Sequence, residues 1–321
     1  MTTALRALRP RRPVLLDTAL DDPTLLWNVA RQYAPYSNRA CSDAPLIGED
    51  APAPRTDPAK LLGEIGFRET WSASFAPPRP VDRLLHNARF VEAAHDVFQG
   101  HAIVRPHELR MDLDLSIPLL LPQAGAAPHF RGLASDHYPQ WFRVLLQRSG
   151  LFEEWRVSTA VAVTWTYPGP GGSFTYLPEG RLARPSRWRP PAPNAALVTD
   201  IDALCPPVDP WAHHSWSDAI SAGSTLDYDA ARDEWIVTDR GRTVATCTSD
   251  NVHIALWWTA LVFRDEDERR TYDDHLDDLS PRLMADLLVF DLRDRGFDVS
   301  PTRTPVRDLN IVTSMLAAYG G

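Results

Sequence analysis

Lysine is almost absent from this chain. Lys60 is the one lysine among 33 basic residues, and arginine supplies the rest. With 29 prolines, that bias reads as the mark of a high-GC bacterial genome and carries no chemistry of its own. Cysteine is scarce too. Cys41, Cys205 and Cys247 are odd in number and widely spaced, which excludes a disulfide framework and a zinc-finger pattern and fits a reducing cytoplasm. No run of about 18 apolar residues occurs, which excludes a spanning helix. The first residues are charged without an apolar stretch behind them, so a signal peptide is not expected and a mobile arm is. Positive charge is in deficit, at a net −9, which argues against nucleic-acid and anionic-membrane partners.

What is present is ample core material, including 11 Trp, in a length suited to one large β-domain with helical additions. The pattern predicts helices over 23–33, over 81–99 with Gly100 as stop, over 138–152, and from Ser280-Pro281 onward with an apolar face of Leu283, Leu287, Leu288 and Leu292. Strands are predicted near 102–105 and 109–117, and over 157–167, 174–176, 195–201, 225–229, 234–239, 243–248 and 252–263. Many short strands with helices at both ends describe a β-sandwich or jelly roll buttressed by helices. The expected division is an N-terminal helical and loop extension (1–80), a β core with supporting helices (81–263) and a C-terminal helical segment of the same domain (264–321).

Candidate site residues follow from chemistry. Asp200 and Asp202 are two apart on a predicted strand and so share one face. Either they are a paired acid and base, or Asp202 caps the turn after the strand. His129 and His213 are imidazoles that titrate near neutral pH. Arg131 either clamps an anionic substrate or pairs with Asp136. Trp165, Tyr176 and Trp258, with Tyr167, Phe174 and Trp257, are candidate walls for a pocket.

The segments Pro128-His-Phe-Arg-Gly132, Tyr138-Pro-Gln-Trp141, Ser149-Gly-Leu-Phe-Glu-Glu-Trp155 and Gly169-Pro-Gly-Gly-Ser-Phe-Thr-Tyr176, together with Asp200–Asp209, make the chain resemble the non-haem Fe(II), 2-oxoglutarate-dependent oxygenases over roughly residues 90–300. The resemblance implies a double-stranded β-helix, the cupin-like jelly roll. It also implies iron held by a His-x-Asp pair just before Phe-Arg-Gly and by a distal His. Those three positions here hold Ala124, Ala126 and Pro206. An Arg for the co-substrate carboxylate is expected about ten residues past the distal ligand, and Trp211–Ser221 contains none. The resemblance thus implies an oxygenase scaffold with the residues for iron and oxoglutarate lost and no cofactor bound.

Three readings of function follow. The first is a metal-independent enzyme catalysing isomerisation, cyclisation, dehydration or elimination on a small biosynthetic intermediate of bacterial secondary metabolism. The second is a non-catalytic binding or accessory protein, as a homodimer or beside a paralogous oxygenase. The third is an iron oxygenase with displaced ligands, drawn from His129, Asp136 or His137, and His213 or His214.

Overall fold

The computed structural model describes residues 11–37, 67–99, 103–115, 128–133, 137–166, 174–177, 184, 186–188, 191–204 and 224–320. In chain order the strands are β1 (Val14–Leu16), β2 (Tyr36–Ser37), β3 (Phe67–Ser72), β4 (Ile103–Leu115), β5 (His129–Phe130), β6 (Arg156–Trp165), β7 (Phe174–Tyr176), β8 (Ser186–Trp188), β9 (Ala196–Asp200), β10 (Thr225–Asp229), β11 (Glu234–Asp239), β12 (Arg242–Thr248) and β13 (Val252–Phe263). The helices are α1 (Thr24–Gln32), α2 (Arg79–Leu85), α3 (Ala88–Val97), α4 (Gln140–Ser149), α5 (Glu266–Asp273), α6 (Pro281–Asp294) and α7 (Leu309–Tyr319). The protein is mainly antiparallel β with flanking helices.

The central sheet runs β1-β9-β6-β13-β4-β3, with β5 beside the start of β6. A smaller sheet runs β12-β11-β10-β2, and β7 pairs with β8. β13 is almost continuously apolar because it is central and buried on both faces. Its pairing with β4 slips by one residue between Thr259, opposite Glu108, and Ala260, opposite Pro106. Proline cannot donate to the ladder, so a bulge at Pro106 is the physical response, and His107 becomes the extra residue.

Residues before 81 were expected to pack on the core as helix and loop. Instead β1 and β3 form the two edges of the central sheet, paired with β9 and β4. The single helix expected over 81–99 is two. Asn87 between them takes an extended conformation, accepts from the Arg89 N–H at 2.9 Å and donates to the Ala19 carbonyl at 2.8 Å. Asn favours capping over helix interior because its amide competes for backbone groups. At α6 the expected cap is present, with Ser280 Oγ accepting from Leu283 N–H at 3.1 Å. Its buried side is Met284, Ala285, Leu288, Val289 and Leu292, while Leu283 is exposed.

Cross-strand partners share a face, so the registers sort the central sheet into two sides. One side carries Met111, Leu256, Thr164 and Ala196 in one row and Leu109, Trp258, Ala162 and Val198 in the next. It packs with residues of α1, α2 and α3 into the largest apolar core. Trp258 is fully buried there against Phe90, with its Nε1–H donated to the Leu85 carbonyl at 2.6 Å. Burying such a side chain stabilises the fold by about 1.5–3 kcal/mol. A second apolar cluster joins α4, α6 and α7 around Phe130 and Phe152.

Candidate functional site: the polar face of the central sheet

The opposite side of the sheet is different in kind. One row reads Ser72, Glu108, Thr259, Val161 and Thr199 from β3 across to β9. The next reads Thr70, Arg110, Trp257, Val163 and Leu197, and a third Arg68, Asp112, Ala255 and Trp165. Val161, Val163 and Leu197 make an apolar floor with Trp165, Trp257 and, packed against it, Tyr176. Charge lines the β4 side. Arg110 donates to Asp112 at 2.9 Å and lies 5.2 Å from the Trp257 ring centroid, and Arg68 is 3.3 Å from the same carboxylate. Among the described residues, two buried donors on this face have no hydrogen-bond partner: Trp257 Nε1, in a residue 6% exposed, and Thr199 Oγ1, in a residue 0% exposed. Leaving such groups unpaired costs about 1–3 kcal/mol each. Buried polar groups without a partner call for an explanation.

Trp165 and Tyr176 join this face. Trp258 does not, because alternation along β13 turns it to the helix-covered core while Trp257 takes the wall position. Glu108 was missed by sequence reasoning. Its carboxylate is half-buried and has no hydrogen-bond or ion-pair partner among the described residues. The signal was Pro106 inside an alternating strand, which forces a bulge, and bulges collect beside sites.

Asp200 and Asp202 are brought together, though not as two residues on one strand face. β9 ends at Asp200, and Ile201–Leu204 is a 3-10 turn. Asp200 stands opposite Ala160, in a row of the helix-covered side. Its Oδ1 accepts from the Asp202 N–H at 3.1 Å, so Asp200 rather than Asp202 is the cap. Asp202 is gripped by Arg156, whose Nη1 lies 3.1 Å from both carboxylate oxygens, and by Gln147 Nε2 of α4. Arg11 Nε approaches Asp200 at 3.8 Å. Burial, and then the Asp202 charge, push the Asp200 carboxyl up to about 7, against the Asp202 N–H, Arg156 and Arg11.

His129 lies opposite Val157 at the end of the polar face. Its Nε2 is 3.0 Å from Tyr272 Oη, and its ring meets His107 edge-on at 4.8 Å. Burial first, then His107, Arg143 and Arg105, hold its imidazole well below the ordinary range, so titration near neutrality is not what its surroundings favour. Arg131 is a clamp within the fold. It donates to the Glu154 carbonyl at 2.6 Å and to Asp277 at 2.8 Å, so its carboxylate partner is Asp277. The Gly of Phe-Arg-Gly is explained beside it. Gly132 has φ +80°, and a Cβ there would lie 2.7 Å from the Leu279 carbonyl oxygen.

Ala124, Ala126, Pro206, His213, His214, Tyr167 and Asp136 lie outside the described residues, as does the Phe174 side chain. Iron would need nitrogen and carboxylate donors. The three expected positions offer only carbon, and among the described residues no three His, Cys, Asp or Glu side chains converge.

No protein-family profile matches the chain, and no curated protein matches it. Among solved structures it is similar to the crystal structure of an oxidoreductase of the 2OG-Fe(II) oxygenase family from Burkholderia pseudomallei. The likeness has 14% identity and a TM-score of 0.35, over 79% of this chain and 85% of that one. No helix among the described residues is long and apolar enough to cross a membrane.

Proposed function

We propose that the chain is an enzyme that acts without metal on a small biosynthetic intermediate of bacterial secondary metabolism. The reaction is redox-neutral: isomerisation, cyclisation, dehydration or elimination. The scaffold is an oxygenase-like jelly roll, and the substrate lies on the polar face of the central sheet. One observation carries this reading. A sheet face with an apolar floor, aromatic walls and two buried donors without partners, Trp257 Nε1 and Thr199 Oγ1, has the composition of a small-molecule site. Such a face supplies positioning and desolvation, and proton transfer needs only a carboxylate or imidazole at its margin. Of the sequence candidates, Asp200 and Asp202 lie at the sheet's end and His129 at the end of the face itself. The exposed apolar ridge of α6, with Phe290 73% exposed and Leu283 39%, favours a second reading as an accessory protein. In that reading the chain pairs with itself or with a paralogous oxygenase.

The test uses extract from a strain lacking the gene, in which the substrate accumulates. Purified protein is added anaerobically with chelator, and metabolites are followed by mass spectrometry. Conversion by wild type that falls at least tenfold in Trp257→Phe and Thr199→Val supports the reading. No conversion, with co-purification of an oxygenase, supports the accessory role instead.

A further inference from the structure

We propose that Glu108 is the catalytic base of this face and that the substrate is a carbonyl compound with an acidic C–H beside the carbonyl. The inference rests on the reading of the polar face as the substrate site. Glu108 projects on the same side as Arg110 and Trp257 and stands opposite Thr259, next to the bulge at His107. Its carboxylate makes no hydrogen bond or ion pair among the described residues, in contrast to Asp112, Asp202 and Asp277, each of which is held by an arginine. A base must be free to take a proton, and those three are committed elsewhere.

Glu108 and Trp257 are diagonal cross-strand neighbours, about 7–8 Å apart at the backbone. In the proposed complex one carbonyl group lies between them. Its oxygen meets the unpartnered Trp257 Nε1–H, with the Arg110 guanidinium stacked on that indole, while its α-carbon faces the Glu108 carboxylate. Thr199 is three strands away, about 14 Å at strand spacing, and serves the far end of the molecule.

The step balances within the substrate and this side chain. A Glu108 oxygen takes the α-proton, and the C–H electron pair shifts onto the carbonyl oxygen, forming an enolate. Trp257 and Arg110 stabilise the charge where it develops. Where a β,γ double bond adjoins the α-carbon, the enolate is a dienolate, and the proton on Glu108 then goes to its γ-carbon as the electron pair returns from oxygen, giving the conjugated isomer. Alternatively it goes to a departing β-hydroxyl, which leaves as water as the electron pair returns. No oxidant, reductant or co-reactant is needed.

The test uses para-nitrophenol as a mimic of a planar enolate, with binding followed by calorimetry and the visible phenolate band. Wild type, Trp257→Phe, Thr199→Val and Glu108→Gln are compared, each after a melting curve that establishes folding. Trp257→Phe should weaken binding about tenfold, the effect of one lost hydrogen bond. Glu108→Gln should tighten binding by about tenfold and enrich the phenolate form, because a neutral amide stands in for the protonated base and removes the repulsion. A Glu108→Gln variant that binds no tighter, alongside a weakened Trp257→Phe, overturns the role of Glu108 and leaves the face. No binding to wild type, or no loss in Trp257→Phe, overturns both.

Discussion

Replacing Asp200 with Asn should stabilise the protein at alkaline pH and do little in acid. Burial and the neighbouring Asp202 raise the Asp200 carboxyl from 3.8 to about 7. The folded state therefore binds its proton more tightly than the unfolded chain does. The folded pKa lies above the unfolded one, so stability falls as pH rises from about 4 and levels off above about 7. Three pKa units correspond to about 4 kcal/mol across the whole window. Between pH 5 and pH 8 the expected difference is about 2–3 kcal/mol. Asn keeps the acceptor for the Asp202 N–H and loses the attraction of the ionised form to Arg156 and to the more distant Arg11, both already contained in the raised value. Urea unfolding at pH 5 and pH 8 measures the effect. The advantage of the Asn variant over wild type should grow by about 2–3 kcal/mol at the higher pH. An advantage independent of pH, or a variant less stable at pH 8 than at pH 5 relative to wild type, would refute the reasoning.

Other expectations follow from the same contacts. Gly132→Ala should cost about 2–4 kcal/mol, because it adds a left-handed strain to a clash with the Leu279 backbone; thermal denaturation reads it. Trp258→Ala should cost about 3–5 kcal/mol through the cavity and the lost bond to Leu85, whereas Trp257→Phe should cost under about 1 kcal/mol, because relief of the unpaired indole N–H offsets the lost packing and the lost Arg110 contact. Arg156→Ala should cost about 3–5 kcal/mol by leaving the Asp202 carboxylate without its guanidinium. Its deficit should be larger at pH 8 than at pH 5, as two carboxylates then share one buried turn.

Much of the fold was legible in the chain. The strands β10 to β13 match their predicted spans closely, because apolar alternation and the turns between them leave few alternatives. β1 and β3 were not legible. They are short edge strands, with one face on the core and a mixed sequence, and only pairing with β9 and β4 reveals them. α7 was foreseen only as part of a helical C-terminal segment, although Asp308 caps its start by accepting from the Asn310 and Ile311 N–H groups.

The proposed site was legible in part. Trp165 and Tyr176 were found as aromatic residues on strands, but choosing between Trp257 and Trp258 needs the register, which fixes which neighbour faces the helices. Asp200 and Asp202 were found by their spacing, yet the strand stops between them, so their partnership is a capped turn rather than a shared face. Glu108 was hidden because a carboxylate without a partner looks in sequence like any paired one, although its regular alternation with Arg110 and Asp112 places all three on one side.

On the proposed reading, this sheet face performs a redox-neutral step without metal. The most direct measurement is the mass difference between the accumulated substrate and its product after incubation with the protein, anaerobically and with chelator. The expected product has unchanged mass or is lighter by a molecule of water. A product heavier by one oxygen atom, formed only when iron, oxygen and 2-oxoglutarate are supplied, would contradict it.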